Sequence, residues 1–260
     1  MSARNAAARP KILILGARGR LGAALAREYA READVIACGR QEADLANPDA
    51  AAAAITAAGP DIVINCAAMT NVDECESARD LAETVNSRAP AAIARACSQM
   101  GARMIHISTD YVFSGDATEP YAEDAATGPI SWYGETKLAG EAGVLGAGGR
   151  HAVVRVAWVF GPDRDSFVDK ALQLSLRGEP VRAVADKIGS PTYTLDAAAA
   201  LRALFGPTAP GGVYHLCNRG ACTWRDWAQQ AIDDAAAIGA PVKTRHVEPL
   251  KLADITAMIA

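Results

Sequence analysis

Short apolar runs alternate with alanine-rich stretches of helical length through the first 160 residues, and this alternation leaves the chain few architectures. The runs are Ile12-Leu13-Ile14-Leu15, Val35-Ile36-Ala37-Cys38, Ile62-Val63-Ile64-Asn65, Met104-Ile105-His106-Ile107 and Ala152-Val153-Val154-Arg155-Val156-Ala157-Trp158. Strand-helix-strand units of this kind build a parallel sheet covered by helices. Helices are expected at about 20–31, 48–58 and 90–100, the last two opening with the proline that a first helical turn tolerates. The expected fold class is therefore α/β, a doubly wound, Rossmann-like parallel sheet over residues 1–160. Residues 161–260 read as a smaller mixed lobe, packed on the core and partly contributing to it. It has helices near 166–177 and 195–205, a turn-rich loop at 186–192, a strand at 213–217 and a helix capped by Thr223.

The segment Gly16-Ala17-Arg18-Gly19-Arg20-Leu21-Gly22 lies directly between the first strand and the first helix. There the first glycine permits a tight turn, the second lets backbone approach a pyrophosphate and the third lets helix and strand pack closely. The helix N-terminus offers unpaired N–H groups to the anion. A dinucleotide is the expected ligand. After the second strand, where an NAD site places an acidic residue against the ribose 2′-hydroxyl, the chain reads Cys38-Gly39-Arg40. Arginine at that point, with Arg18 in the turn, favours a 2′-phosphate, so NADPH is the expected cofactor, with NADH usable.

Downstream, Tyr133 and Lys137 stand four apart on a helix-like segment, one turn above each other on one face. A phenol whose ordinary pKa is near 10 needs help to act at neutral pH, and a nearby ammonium stabilises its phenolate. Asn65-Cys66-Ala67-Ala68-Met69-Thr70 ends the third strand with small residues at the carboxyl edge, where ligands of doubly wound sheets lie. Asn86 suits a structural polar position in a helix or loop. Trp158 suits either the core or an aromatic cleft wall.

With a net charge of −4 and a pI near 5.6, the composition recruits neither nucleic acid nor an anionic membrane. No run approaches a membrane-spanning length and Met1-Ser2-Ala3-Arg4-Asn5 leads into no apolar signal core, so a cytoplasmic protein is expected. The six cysteines form no Cys-x-x-Cys pair, which argues against disulfides and zinc. The four histidines, His106, His151, His215 and His246, are scattered and are assigned no metal.

Taken together, the glycine turn, Asp44-Leu45, the block Asn65 to Glu76, Ser108-Thr109-Asp110-Tyr111-Val112-Phe113, Tyr133 to Ala139 and Gly189-Ser190-Pro191-Thr192 resemble the extended short-chain dehydrogenase/reductase superfamily. Within it the chain is most similar to the dTDP-4-dehydrorhamnose reductase family, over about residues 11–196. The resemblance implies NADPH-dependent reduction of a nucleotide-linked 4-keto-6-deoxy sugar, a second lobe that binds that substrate, and possible homodimer formation. It implies a catalytic trio of Thr109, Tyr133 and Lys137, with Ser108 the neighbouring hydroxyl to watch. Tyr133 would give a proton to the ketone oxygen, Thr109 would hold that oxygen, and Lys137 would lower the tyrosine pKa and bind the nicotinamide ribose. Cofactor contacts would come from Gly16, Arg18, Gly19, Arg20, Leu21, Gly22, Arg40, Asp44, Leu45, Ala67, Ala68, Thr70 and Asn86 as well as Tyr133 and Lys137. Asp110, Tyr111 and Trp158 would face the sugar and its nucleotide.

Two departures stand out. The family's Asp-Gln before Gly-x-Pro-Thr is Asp186-Lys187 here, which alters a substrate contact. Family members continue with an Arg-Pro segment that helps close the nucleotide-sugar site, whereas this sequence ends Ala257-Met258-Ile259-Ala260. Two rival functions use the same residues: a non-catalytic dinucleotide-binding regulatory subunit, and a nucleotide-sugar epimerase or dehydratase with retained NAD.

Overall fold

The structure, a computed structural model, describes residues 9–254. The first residues, on which the absence of a signal core was read, and the last four, where the family's closing segment would follow, lie outside the described residues. The chain opens with β1 (Lys11–Leu15), α1 (Arg20–Tyr29), β2 (Asp34–Cys38), α2 (Pro48–Ala58) and β3 (Ile62–Asn65). Two short helices, α3 (Val72–Ser77) and α4 (Arg79–Glu83), lead through a π-helical turn at Thr84–Arg88 into α5 (Ala89–Met100). Then come β4 (Arg103–Thr109), a 3₁₀ turn at Asp110–Val112, α6 (Trp132–Leu145) and β5 (Ala152–Val156). The remainder is β6 (Val159–Phe160), α7 (Phe167–Arg177), β7 (Val181–Val184), β8 (Ile188–Gly189), β9 (Thr192–Tyr193), α8 (Thr194–Leu201), β10 (Gly212–His215), β11 (Cys222–Thr223), α9 (Trp224–Ala237) and β12 (Val247–Leu250).

Two compact units result. The first holds the described residues up to Val156 together with Leu195–Leu216, and the second holds Ala157–Thr194 and the described residues from Cys217 onward. The division therefore falls at Val156, where β5 ends, and not at 160. Residues 195–216 return to the first unit because β10 pairs in parallel with β5. The strand expected through Trp158 stops early for a backbone reason: Trp158 has φ 46°, a left-handed conformation that a strand cannot contain.

In the first unit six parallel strands run in the order β10-β5-β4-β3-β1-β2. The chain leaves β1 for β2 on one side and returns to β3 on the other. A crevice opens at such a switch point, beyond the carboxyl ends of β1 and β3. Leu13, Leu15, Ile55, Val63, Ile93, Met104 and Val153 pack into one buried cluster that fixes these strand ends. The second unit has its own core of Ala171, Val181, Ala183, Ala228, Ile232 and Val247. There Thr223 does cap α9, in a capping box with Asp226. Among the described residues no helix is long and apolar enough to cross a membrane, and every cysteine is free.

Candidate active site

The glycine turn forms a cradle at the switch point. Gly16 has φ +71°, and a Cβ there would lie 2.8 Å from the Ala67 backbone nitrogen and 2.9 Å from the Cys66 carbonyl carbon. The β1 and β3 loops thus approach as closely as backbone allows. Gly19 N–H donates to the Gly16 carbonyl at 2.8 Å. Helix α1 has Gly19 at its N-cap, with no side-chain cap and no acidic residue in its first turn, whereas Asn47, Asn71 and Ser131 cap α2, α3 and α6. With no side-chain cap over the first turn, the narrow glycine turn fits a pyrophosphate. A Gly16→Ala chain should lose about tenfold or more in dinucleotide affinity. Titration of NADPH fluorescence reads this, and an unchanged affinity would remove the cradle from the site.

At the rim, Arg18 and Arg40 are both exposed beside the end of β2. Arg18 Nη2 pairs with Glu42 Oε1 at 3.3 Å, while Glu42 Oε2 accepts from the Gly39 N–H at 2.7 Å. That backbone bond holds the Glu42 carboxyl below its usual range. The loop thus has an acidic member that the Cys-Gly-Arg reading overlooked, three residues past the glycine. Of the other expected cofactor residues, Asp44 is exposed and accepts from Ala46 N–H at 3.0 Å, while the Leu45 side chain lies in the core. Arg20 and Leu21 open α1, Leu21 buried. Ala67 and Ala68 are half-buried and Thr70 is exposed on the loop after β3. Asn86 is fully buried, and its amide is committed: Oδ1 accepts from Met69 N–H at 2.9 Å, and Nδ2 donates to Met69 O at 3.0 Å and Thr136 Oγ1 at 3.2 Å. Its contribution is to hold the β3 loop against α6.

Thr109 ends β4, and Tyr133 and Lys137 stand one turn apart on α6, with Lys137 bonded to Ile107 O of β4. Helix α6 can lie flush on the turn after β4 because Gly134 faces the Tyr111 carbonyl; a Cβ there would collide with that oxygen and come within 2.9 Å of Pro129 Cβ. Tyr133, 8% exposed, lies near the Thr109 hydroxyl and makes an edge-to-face contact with Tyr111 at 5.4 Å. Thr109 Oγ1 also faces Asp110 Oδ1 at 3.1 Å and accepts from the Tyr111 N–H at 3.2 Å. Burial pushes the Tyr133 hydroxyl well above its ordinary pKa, and Thr109 works against that rise. Lys137, expected to lower the tyrosine, is itself pulled down to about 8, chiefly by burial, with Glu141 and Cys66 opposing.

Behind the trio lie two buried polar assemblies. Lys137 Nζ donates to Ile107 O at 2.7 Å and stands 3.2 Å from His106 Nε2. His106 Nδ1 is 3.1 Å from Asn65 Nδ2, and Asn65 Oδ1 accepts from Ala67 N–H at 3.0 Å. One continuous chain therefore joins the lysine to the residue that abuts Gly16. The second assembly takes up Ser108, whose hydroxyl donates to Glu141 Oε1 at 2.6 Å and so points away from the trio's chemistry. Glu141 is in turn clasped by Arg155, from Nε at 2.9 Å and Nη2 at 2.7 Å. The sequence reading assigned no role to His106, Glu141 or Arg155. A histidine within an otherwise apolar strand run, and a glutamate four residues after Lys137 on the same helix face, were the available signals.

Asp110 and Tyr111 sit on the 3₁₀ turn next to Thr109. Trp158 belongs to the second unit, where it packs on Trp224 at 4.3 Å and Trp227 at 5.8 Å between ring centres.

Residues 10–258 match the family model described as the RmlD substrate binding domain. The chain is 40% identical to the dTDP-4-dehydrorhamnose reductase of Streptomyces griseus, over 94% of this chain and 82% of that protein. It is 42% identical to a probable dTDP-4,6-dihydroxy-2-methyloxan-3-one 4-ketoreductase of Streptomyces antibioticus, over 84% and 75%. Its structure superposes on that of dTDP-4-dehydrorhamnose reductase from Bacillus anthracis in complex with NADP with a TM-score of 0.88 at 34% identity, covering 95% of this chain and 86% of that one.

Proposed function

We infer that this chain, which belongs to the RmlD substrate-binding-domain family of dTDP-4-dehydrorhamnose reductases, uses NADPH to reduce the 4-keto group of dTDP-4-dehydro-L-rhamnose to the alcohol of dTDP-L-rhamnose. The observation that supports the reading is the buried chain from Lys137 through His106 and Asn65 to Ala67, which links the helix of the Tyr-Lys pair to the loop that abuts Gly16. NADPH, held by the Gly16–Gly22 turn with its pyrophosphate on the α1 N-terminus, would supply the hydride. The chain's own residues do the rest. Tyr133, kept protonated by burial, gives its proton to the ketone oxygen as negative charge grows there. Thr109, which accepts from the Tyr111 N–H, would turn its hydroxyl proton from the Asp110 carboxylate to that oxygen. Lys137, pulled down to about 8 and so mostly an ammonium at neutral pH, is assigned by family resemblance to steadying the phenolate that Tyr133 becomes. Asp110 and Tyr111 line the approach to the trio, and Trp158 is assigned to the sugar or its nucleotide by family resemblance.

The direct test is NADPH consumption with dTDP-4-dehydro-L-rhamnose, with the product identified by NMR. Absence of turnover on every dTDP-linked ketosugar would remove the assignment, and turnover confined to a different one would move the substrate. Arg40 is assigned to the 2′-phosphate. Arg40→Ala should raise the KM for NADPH about tenfold, the worth of one charge-assisted hydrogen bond, and leave that for NADH unchanged. Equal changes for both cofactors would place Arg40 elsewhere.

A further inference from the structure

The donors and acceptors around His106 can be counted, and the count constrains the lysine. The Ala67 N–H can only donate, so the Asn65 oxygen faces it and the Asn65 Nδ2–H₂ faces His106. His106 Nδ1 must then accept. In a neutral imidazole the proton is then on Nε2, and that N–H is aimed at Lys137 Nζ 3.2 Å away. An ammonium cannot accept it, but a neutral amine can, while still donating to Ile107 O at 2.7 Å. The opposite tautomer would set Nδ1–H against the Asn65 amide N–H₂, two donors face to face in a site without exposure, since Asn65 and His106 are 0% exposed and Lys137 1%.

We propose that His106 is a positioning residue for the reductase reaction: its Nε2–H opposes the Lys137 ammonium and receives the lone pair of the neutral amine, and so favours the neutral lysine. This rests on the reductase reading above. In the step, the O–H bond of Tyr133 breaks as its proton bonds to the ketone oxygen and hydride reaches the carbonyl carbon. The phenol re-forms by taking up a proton from solvent, and Lys137, where it is the neutral amine, accepts from His106 while donating to Ile107 O. The charged and titratable groups facing Lys137 are His106 from β4, Cys66 from the β3 loop and Glu141 from its own helix. Cys66 stays a thiol, pushed up to about 12 by burial, and the Glu141 carboxylate is held by Arg155 and Ser108. His106 itself is kept from becoming an imidazolium by burial and then by Lys137. It is thus the group able to answer a change of charge on the lysine.

The test has two arms. In the protein labelled with ¹⁵N-histidine, NMR about one pH unit above the Lys137 midpoint should find His106 protonated on Nε2 and not on Nδ1. Its ring signals should shift as the lysine titrates, and that inflection should vanish in Lys137→Met. A proton on Nδ1 at that pH, or an inflection that survives Lys137→Met, overturns the proposal whether or not the chain proves to be a reductase. In the second arm, His106→Phe removes the N–H that favours the neutral amine. The alkaline limb of kcat should then move up by about one pH unit, the worth of one hydrogen bond. His106→Gln keeps an acceptor toward Asn65 and a donor toward Lys137, and should return the limb to its original place. A limb that stays put in a folded His106→Phe chain overturns the proposal, since a merely structural histidine would change rate without moving it. Wild-type chain that turns over no ketosugar would count against the reductase reading alone, with the NMR arm still deciding the hydrogen-bond order.

Discussion

Replacing Tyr133 with phenylalanine should lower kcat by about 100- to 10,000-fold, the usual worth of a positioned proton donor, and leave NADPH affinity within about twofold. The geometry separates the two effects. The hydroxyl is the only part removed, and the group it interacts with is Thr109, not any residue of the glycine cradle. Its ring still packs against Tyr111 and the small cluster of Cys75 and Ala82, so helix α6 keeps its seat. The hydroxyl's interaction with the ketone oxygen strengthens as that oxygen gains charge, so its loss falls on turnover more than on binding. Stopped-flow measurement of NADPH oxidation, beside fluorescence titration of the cofactor, reads both quantities. A variant that retains more than about a tenth of the wild-type rate would take the proton-donor role away from Tyr133.

The second large effect concerns stability. Arg155→Met should destabilise the chain by about 3–5 kcal/mol, because it leaves the Glu141 carboxylate buried beside a single hydroxyl donor. Arg155 and Glu141 are 6% and 3% exposed, so water cannot take over the lost partner. The arginine also holds the loop after β4: Nη1 reaches Glu123 O at 3.4 Å, and its guanidinium lies over the Phe113 ring at 5.0 Å. Phe113 in turn stacks on Tyr121 at 4.2 Å, and the Tyr121 carbonyl faces His215 Nδ1 at 3.1 Å. In a chain of this size the loss corresponds to a fall in Tm of roughly 10 °C. Removing both charges in Arg155→Met/Glu141→Leu should recover much of it, since no uncompensated ion then remains. Calorimetry that finds the double variant less stable than Arg155→Met would mean that the pair stabilises through something other than mutual neutralisation.

What the sequence disclosed and what it withheld divide along sequence separation. The β1 strand, the glycine turn and the start of α1 are contiguous, and each residue's role follows from its neighbours. Pro48 at the start of α2 and Thr223 at the start of α9 are legible for the same reason, because a cap is satisfied within three or four residues. Tyr133 and Lys137 could be placed on one face from their spacing alone. The partners behind them could not. His106 meets Asn65 across 41 positions and Lys137 across 31, and Arg155 meets Glu141 on another element altogether. Such contacts exist only once the sheet order is set, and the order β10-β5-β4-β3-β1-β2 is not written in any local pattern. Trp158 was misplaced for a different reason. The run Ala152 to Trp158 is uniformly strand-like in composition, and nothing in it announces a left-handed tryptophan two residues past the end of β5.

The origin of β10 has a consequence for how the molecule comes into being. Five strands of the sheet are complete by residue 156, yet the sixth is supplied by residues 212–215, and Arg103 on β4 donates its guanidinium to Ala209 O and Pro210 O at 2.6 Å just before it. A chain emerging from the ribosome must therefore present the open flank of β5 to its surroundings while the whole of the intervening stretch is still being synthesised. At ordinary elongation rates of about 5–20 residues per second this interval lasts several seconds. A bare strand edge is a template for pairing with other chains. The vulnerable moment in the life of this protein is thus the pause between the fifth strand and the sixth, and translation speed across residues 157–211 is a natural place for selection to act on its yield.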